Sequence, residues 1–378
     1  MAVCGYQTSN GNEHVIFIGA DKNVYELVYK NGKWSYTDLT TKAGAPIAAA
    51  KSPLVGYQTS NSYEHINYVA DDNHVHELIY THQWEHHDLT QAANDLKAGS
   101  ARDVLTGSSL VAYQTSNGYE HVFYIGENRQ PEKSNLIYEL IYTDHWAANE
   151  ISKKQRAGTY STALTGFQTS NGYEHVFYID TVVYELIYTG QWKDNDLHLH
   201  VVGGQANPLE TISLAGLQTS NGNEHVFYVG HGDYIHELIY TNGAWFDNPI
   251  GGVVASSATA LTAFQTSNHH VHVNYTDNQT NKGNLQESHV HELIYTSGWE
   301  DNDLTTAANA HKPNSAPAAD PTKGLAGYQT SNGNEHVNYM DSKFQVYELI
   351  YANGHWACNN LTAAAHVPAV AETSAAAD

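Results

Sequence analysis

The reading of this chain turns on one stretch: Gln58-Thr59-Ser60-Asn61, then Glu64-His65-Ile66-Asn67-Tyr68-Val69, then Val75-His76-Glu77-Leu78-Ile79-Tyr80, then Trp84. Its β-branched and aromatic residues fall into four short runs, Leu54–Thr59, His65–Val69, Val75–Tyr80 and Trp84–Leu89, each bounded by turn formers. Ser60-Asn61-Ser62 and Ala70-Asp71-Asp72-Asn73 are turns of hairpin length. The stretch therefore predicts a four-stranded antiparallel meander.

The same unit recurs along the chain. Gln-Thr-Ser-Asn begins at Gln7, Gln58, Gln114, Gln168, Gln218, Gln265 and Gln329, and Glu-Leu-(Ile/Val)-Tyr begins at Glu26, Glu77, Glu139, Glu185, Glu237, Glu292 and Glu348. A tryptophan follows each of these glutamates, at Trp34, Trp84, Trp146, Trp192, Trp245, Trp299 and Trp356, and these are all the tryptophans of the chain. A lone four-stranded sheet cannot bury both faces, whereas sheets packed radially cover one another. The fold class is therefore all-β, a seven-bladed β-propeller of four-stranded antiparallel blades. The blades are expected at about 1–40, 52–90, 107–152, 161–198, 211–251, 259–305 and 323–362, in a single domain over 1–362. Ring closure is expected to be non-covalent, because no blade is split between the two ends.

The stretches joining units are rich in Ala, Pro and Gly, and those such as Ala43–Ser52 and Ala307–Lys323 read as surface linkers. The turns Glu127–Asn135 and Asp277–Ser288 are enlarged and Asp180–Val182 is short, while the Ala-rich tail 363–378 reads as disordered. Cys4 and Cys358 lie in the first and last repeats, and are read as two free thiols in preference to a ring-closing disulfide.

Composition excludes several classes of function. Forty acidic against 17 basic residues give a formal charge of −23, which repels phosphate backbones and anionic head groups, so nucleic acid is not an expected partner. No run of about 18 apolar residues is present, so no membrane insertion is expected. Met1–Tyr6 carries no basic segment followed by an apolar run, so the expected location is the cytoplasm or, through a non-classical route or a removed signal, outside it.

Repetition marks residues needed for folding as surely as residues needed for binding. Gln-Thr-Ser-Asn suits a turn whose side chains bond nearby backbone, and the Leu and Tyr of Glu-Leu-Ile-Tyr suit faces packed between blades. More informative is the histidine seven residues after each Gln: His14, His65, His121, His175, His225, His272 and His336. With the repeated Glu and Trp it gives every blade a hydrogen-bond donor, an acceptor and a flat aromatic surface, which are the requirements of a sugar pocket. The competing reading has His and Glu tying strands together while Trp fills the space between blades. Against it stands the cost of burying a carboxylate seven times where an apolar residue would pack.

The pattern His336-Val337-Asn338-Tyr339, Val346-Tyr347-Glu348-Leu349-Ile350-Tyr351, Gly354-His355-Trp356 resembles the blade motif of the bacterial and fungal propeller lectins grouped with the fucose-specific lectins. That resemblance, which spans nearly the whole chain, implies binding of fucose-like or related glycans in clefts between neighbouring blades. The basic residue and Glu would then lie on hydroxyls and the aromatic beneath the ring. Those lectins commonly place Arg where this chain has His, and an imidazole titrating near neutrality predicts binding that changes between about pH 5 and 7.

The candidate site residues are thus His14, Glu26 and Trp34; His65, Glu77 and Trp84; His121, Glu139 and Trp146; His175, Glu185 and Trp192; His225, Glu237 and Trp245; and His336, Glu348 and Trp356. His272, Glu292 and Trp299 form a weaker set, because Val271 replaces the Glu that precedes the other histidines. The third and fifth units also lack the (Asp/Asn)-Leu that closes the others. No cofactor and no metal are expected, since no unit shows a dense ligand cluster, and no enzymatic activity is expected. A protein-interaction ring and, behind it, a metal-dependent enzyme are the alternatives to a lectin.

Overall fold

The computed structural model describes residues 2–127, 136–152, 163–180, 182–197, 200–202, 213–230, 234–251, 260–277 and 288–368. Within them the chain forms seven sheets, each of four strands hydrogen-bonded in sequence order and antiparallel throughout. In the fourth blade these are Leu164–Gln168, Glu174–Ile179, Val183–Tyr188 and Trp192–Asp196. The fifth blade gains a two-residue edge, Val201–Val202, paired parallel to its outer strand. The enlarged turns Glu127–Asn135 and Asp277–Ser288, the middle of Asp180–Val182 and the tail beyond residue 368 lie largely outside the described residues.

Second strands are buried along almost their whole length, because they are covered on both faces by neighbouring blades. Core clusters accordingly straddle the seams. One joins Phe177, Ile179 and Val183 of the fourth blade to Leu214, Val226, Tyr228 and Trp245 of the fifth.

The Gln-Thr-Ser-Asn turn does more than reverse the chain. Asn10 Oδ1 accepts from the Thr8 hydroxyl at 2.8 Å and from the Asn12 amide at 3.0 Å, and Gly11 takes φ +86°. Ser62 and His269 hold the equivalent left-handed position in the second and sixth blades without glycine's freedom. The Gln carboxamide then reaches across the seam. Gln58 Oε1 accepts from the Ser9 amide of the preceding blade at 2.7 Å, and the same bond recurs at every seam. The last of them, Ser331 N to Gln7 Oε1 at 2.7 Å, joins the seventh blade to the first and closes the ring without a covalent link.

The (Asp/Asn)-Leu that closes several blades is a helix start. Asp38, Asp88, Asp303 and Asn360 each cap a short helix by accepting from a backbone amide three residues on, while the following Leu is buried. Where the third blade lacks it, Ser152 Oγ takes over the bond to a third-strand amide that Thr90 and Thr305 make elsewhere.

Two expectations are corrected. The linkers are not purely superficial, since Ala48, Ala316 and Ala319 are buried under the blades that they join. Residues 363–368 of the supposedly disordered tail continue a capped turn: Ala365 is buried, and Val367 packs on the cluster that joins Met340 and Val346 to Val3 and Phe17. Cys4 and Cys358 are both free thiols, and burial pushes each up to about 12.

Candidate functional site

Strand register decides which repeated residues meet. In the fourth blade Gln168, Glu174, Tyr188 and Trp192 are cross-strand partners in one row and share a face. His175 lies in the next row with Phe167 and Ile187, on the opposite face. Glu185, opposite Phe177 and Asn195 two rows further, returns to the face of His175. His and Glu of one blade therefore belong together, and Trp of the same blade points the other way. The His–Glu–Trp constellation expected within each blade is assembled across a seam, its Trp supplied by the following blade.

The geometry repeats seven times. His175 Nδ1 donates to Glu185 Oε1 at 2.7 Å, and the pairs His14–Glu26, His65–Glu77, His121–Glu139, His225–Glu237, His272–Glu292 and His336–Glu348 lie at 2.8–2.9 Å. The other ring nitrogen faces the repeated Thr hydroxyl, for example Thr169 at 3.4 Å and Thr330 at 3.1 Å. All seven histidines and all seven glutamates are at most 6 % exposed. An aromatic residue just before the Gln stacks on the imidazole in most blades, as Tyr6 does on His14 with centroids 5.2 Å apart and planes at 7°. The reading of His and Glu as ties between strands is thus correct geometrically, and it does not exclude a cleft in front of them.

From the following blade comes a second carboxylate, the glutamate just before its histidine. Glu64, Glu120, Glu174, Glu224, Glu335 and Glu13 approach the preceding histidine at 3.2–3.9 Å. Burial pushes each of these carboxyls above its ordinary range, with the facing histidine working against that rise. Val271 breaks this pattern. The sequence placed its defect in the sixth blade's own set, His272–Glu292–Trp299, but Val271 faces the fifth blade, so it is His225 that lacks a second carboxylate. His272 keeps Glu335 at 3.9 Å.

Fourth-strand residues finish the inner wall. Asn149, Asn195 and Asn359 donate to the second oxygens of Glu139, Glu185 and Glu348 at 2.9 Å, and His87 lies 3.1 Å from Glu77 Oε2. At Glu77 burial alone would raise the carboxyl, but hydrogen bonds from His65 and His87 overcome it and hold the group below its usual range.

The clefts are lined outside by an aromatic pair. In every blade the last Tyr of Glu-Leu-Ile-Tyr packs tilted on the Trp, with centroids 5.3–5.5 Å apart. Tyr29, Tyr80, Tyr142, Tyr188, Tyr295 and Tyr351 are 36–43 % exposed, so these tyrosines are rim residues, not the core residues that the alternation suggested. Trp146 and Trp245 are nearly buried, whereas Trp34, Trp84, Trp192, Trp299 and Trp356 are half-buried.

Between the fourth and fifth blades lies a cleft of about 390 Å³, with His175, Glu185 and Asn195 on one wall and Glu224, Tyr240 and Trp245 on the other. That volume lies at the lower end of the range for small-molecule sites. Under the tryptophan the seams differ. Phe123, Phe177 and Phe227 meet the next Trp edge-on at 5.7–5.9 Å, whereas Asn67, Asn274 and Asn338 hold the same position as fully buried amides without a protein partner. Away from the seams, at the opposite end of the second blade, histidines and aspartates do form a dense cluster.

Sequence reasoning missed the seam glutamates, the rim tyrosines and the fourth-strand Asn. Signals for two of these were present, because the Glu precedes six of the seven histidines and the Tyr recurs in every unit. The Asn offered a weaker signal, standing directly before the (Asp/Asn)-Leu at Asn195, Asn302 and Asn359.

No family model and no curated protein matches the chain. Solved structures do. The BP39L lectin from Burkholderia pseudomallei superposes with a TM-score of 0.65 at 12 % identity, over 94 % of this chain and 97 % of that one. The six-bladed lectin of Aleuria aurantia, known for a novel mode of fucose recognition, gives 0.53 at 14 % identity over 95 % and 93 %. AofleA from Arthrobotrys oligospora gives 0.52 at 13 % over 82 % and 86 %. At such identities the likeness establishes a shared propeller fold, in line with the resemblance read from the blade motif.

Proposed function

We propose that the protein is a multivalent carbohydrate-binding propeller that takes sugars in the clefts between adjacent blades. The observation that carries this reading is the cleft between the fourth and fifth blades, whose inner wall is polar and hydrogen-bonding and whose outer wall is the Tyr240–Trp245 pair. A pyranose needs both walls at once: directional partners for hydroxyls, and an electron-rich face against its C–H surface. Glu224 and Asn195 would meet hydroxyls directly. His175 and Glu185 would stand behind them and fix their positions. Seven such seams on one rigid ring would give avidity for a glycan-coated surface through effective concentration.

Neighbours of the same fold are described in complex with fucosides, among them α-methyl-L-fucoside and Fucα1-6GlcNAc, which favours fucose-like ligands as the first to test. The experiment is a glycan array followed by calorimetric titration of the wild type and Trp245→Ala with methyl α-L-fucoside and the array's best monosaccharide. Losing a central aromatic is expected to cost about 2 kcal/mol at that seam, roughly thirtyfold in affinity, so one site should vanish from the fitted stoichiometry. An array without signal, or an unchanged stoichiometry, would reject the proposal.

A further inference from the structure

We infer that the second blade holds a divalent transition-metal site of the zinc class, formed by Asp72, His74, His76 and Asp88 at the end of the blade remote from its Trp. His76 lies in the strand Val75–Tyr80 and His74 directly before it, and their rings stack on one face with centroids 6.3 Å apart. Asp88 is the direct cross-strand partner of His76, and Asp72 enters from the turn that precedes the strand. One donor atom from each of the four lies within 4.8 Å of the others. Two imidazole nitrogens and two carboxylate oxygens, with no thiolate, suit Zn²⁺ or Co²⁺ in four-coordinate geometry, and two carboxylates neutralise the dication.

The surrounding contacts are those that metal ligands require. His76 Nε2 faces Asp72 at 3.1 Å, while its Nδ1 lies 2.7 Å from His86 Nε2. His76 can thus donate its Nδ1 proton to His86 and leave Nε2 free for a cation. His74 Nδ1 lies 2.8 Å from Asp88 Oδ2, and its Nε2 points toward Asp103 at 3.9 Å. Both carboxylates are oriented beforehand by the backbone: Asp72 Oδ1 accepts the His74 amide and Asp88 Oδ1 caps the following helix. His76 is 3 % exposed and Asp72 46 %, so the group is walled on one side and open to entry on the other.

Among the described residues the sixth blade repeats these ligand types, with Asp277, His289, His291 and Asp303 standing as Asp72, His74, His76 and Asp88 do in the second. The corresponding position of His76 is Tyr25, Tyr138, Tyr184 and Tyr347 in four blades. The sixth blade has His289 and His291, but Asp301 stands where the second blade has His86. Carboxylates there clamp both rings: His291 lies 3.1 Å from Asp301 and 3.3 Å from Asp277, and His289 lies 2.8 Å from Asp303. Hydrogen bonds donated to those carboxylates outweigh burial and lift His291 to about 9, so protons compete there with a metal.

The test is equilibrium dialysis of chelator-treated full-length protein against low-micromolar Zn²⁺ with elemental analysis, repeated with Co²⁺ by visible absorption. Saturable uptake and an intense four-coordinate Co²⁺ spectrum are expected. His74→Gln and Asp72→Asn should each weaken one equivalent at least tenfold, and His289→Gln should leave that equivalent in place. Asp72 is nearly half exposed, so its variant keeps the test open if His74→Gln folds poorly. Absence of saturable uptake, or uptake unchanged in both second-blade variants, would overturn the inference.

Discussion

Replacing His175 by Leu separates the two roles of the buried pair. Glu185 is 3 % exposed, and without His175 it keeps only the Asn195 amide at 2.9 Å. An uncompensated buried carboxylate costs about 3–5 kcal/mol, so the single variant should lose that much in denaturant unfolding. Replacing both partners, His175→Leu with Glu185→Met, removes the stranded charge, and apolar substitutes of similar volume are often neutral. Glu224, 3.5 Å from the ring and facing the cleft, still loses its neighbour. The double variant should therefore recover to within about 1–2 kcal/mol of wild type. Stability and binding then part company. If the pair fixes the inner wall of a sugar cleft, the double variant folds well while calorimetric titration counts one site fewer. A double variant with wild-type stoichiometry would make the pair a folding device only, and a single variant costing under about 1 kcal/mol would refute the burial argument itself.

Three further outcomes follow from the seams. The seam glutamates have carboxyls raised by burial, so the folded state holds their protons to higher pH than the unfolded chain. Their stabilising share is full below the ordinary carboxylate range and is lost as pH rises through the raised values. Titration of Glu120→Gln against pH should show a flatter stability profile than wild type above that range, and identical profiles would contradict it. Sugar affinity should rise over the same window at seams where the ionised glutamate accepts hydroxyls. The seam at Val271 should lack that rise and gain it with Val271→Glu; a wild-type profile flat across the window would remove the glutamates from the ligand. Gln7→Ala removes the Ser331 bond that closes the ring, at a cost of about 1 kcal/mol. It should increase proteolytic nicking near the seventh and first blades more than Gln114→Ala does, and equal nicking would deny closure a special weakness.

The number of blades and their strand order are written in the sequence, because Gln, His, Glu and Trp recur independently and each marks a different strand. What sits opposite what is not written there. Trp192 and His175 belong to the same repeat, yet the pleat sends them to opposite faces, and only the pairing of Tyr188 with both Glu174 and Trp192 reveals it. Alternation along one strand gives relative parity; parity between strands depends on turn length, and one residue more or less would exchange the faces. Tyr188 was misread for a related reason. Apolar alternation with Leu186 suggests burial, but it is the last residue of its strand, where the neighbouring blade no longer covers it. The cluster in the second blade was hidden too, since His74, His86 and Asp88 come together only once register and turn are fixed.

Under the carbohydrate-binding proposal these placements make the seam, not the blade, the unit on which function acts. Each cleft draws its His, Glu and Asn from one sheet and its Glu, Tyr and Trp from the next, so an open array of seven units would own only six complete clefts. The seventh exists because Gln7 accepts from Ser331 and thereby sets Glu13, Tyr29 and Trp34 against His336, Glu348 and Asn359. It also follows that a substitution in one repeat alters the site credited to its neighbour, as Val271 does for His225. Seams with Phe123, Phe177 and Phe227 under the tryptophan are aromatic there, whereas those with Asn67, Asn274 and Asn338 bury an amide that must find its partners within the seam. A ring built from one repeated four-strand order thus carries seams of at least two chemical kinds, and under the carbohydrate-binding proposal their sugar preferences should divide along that line.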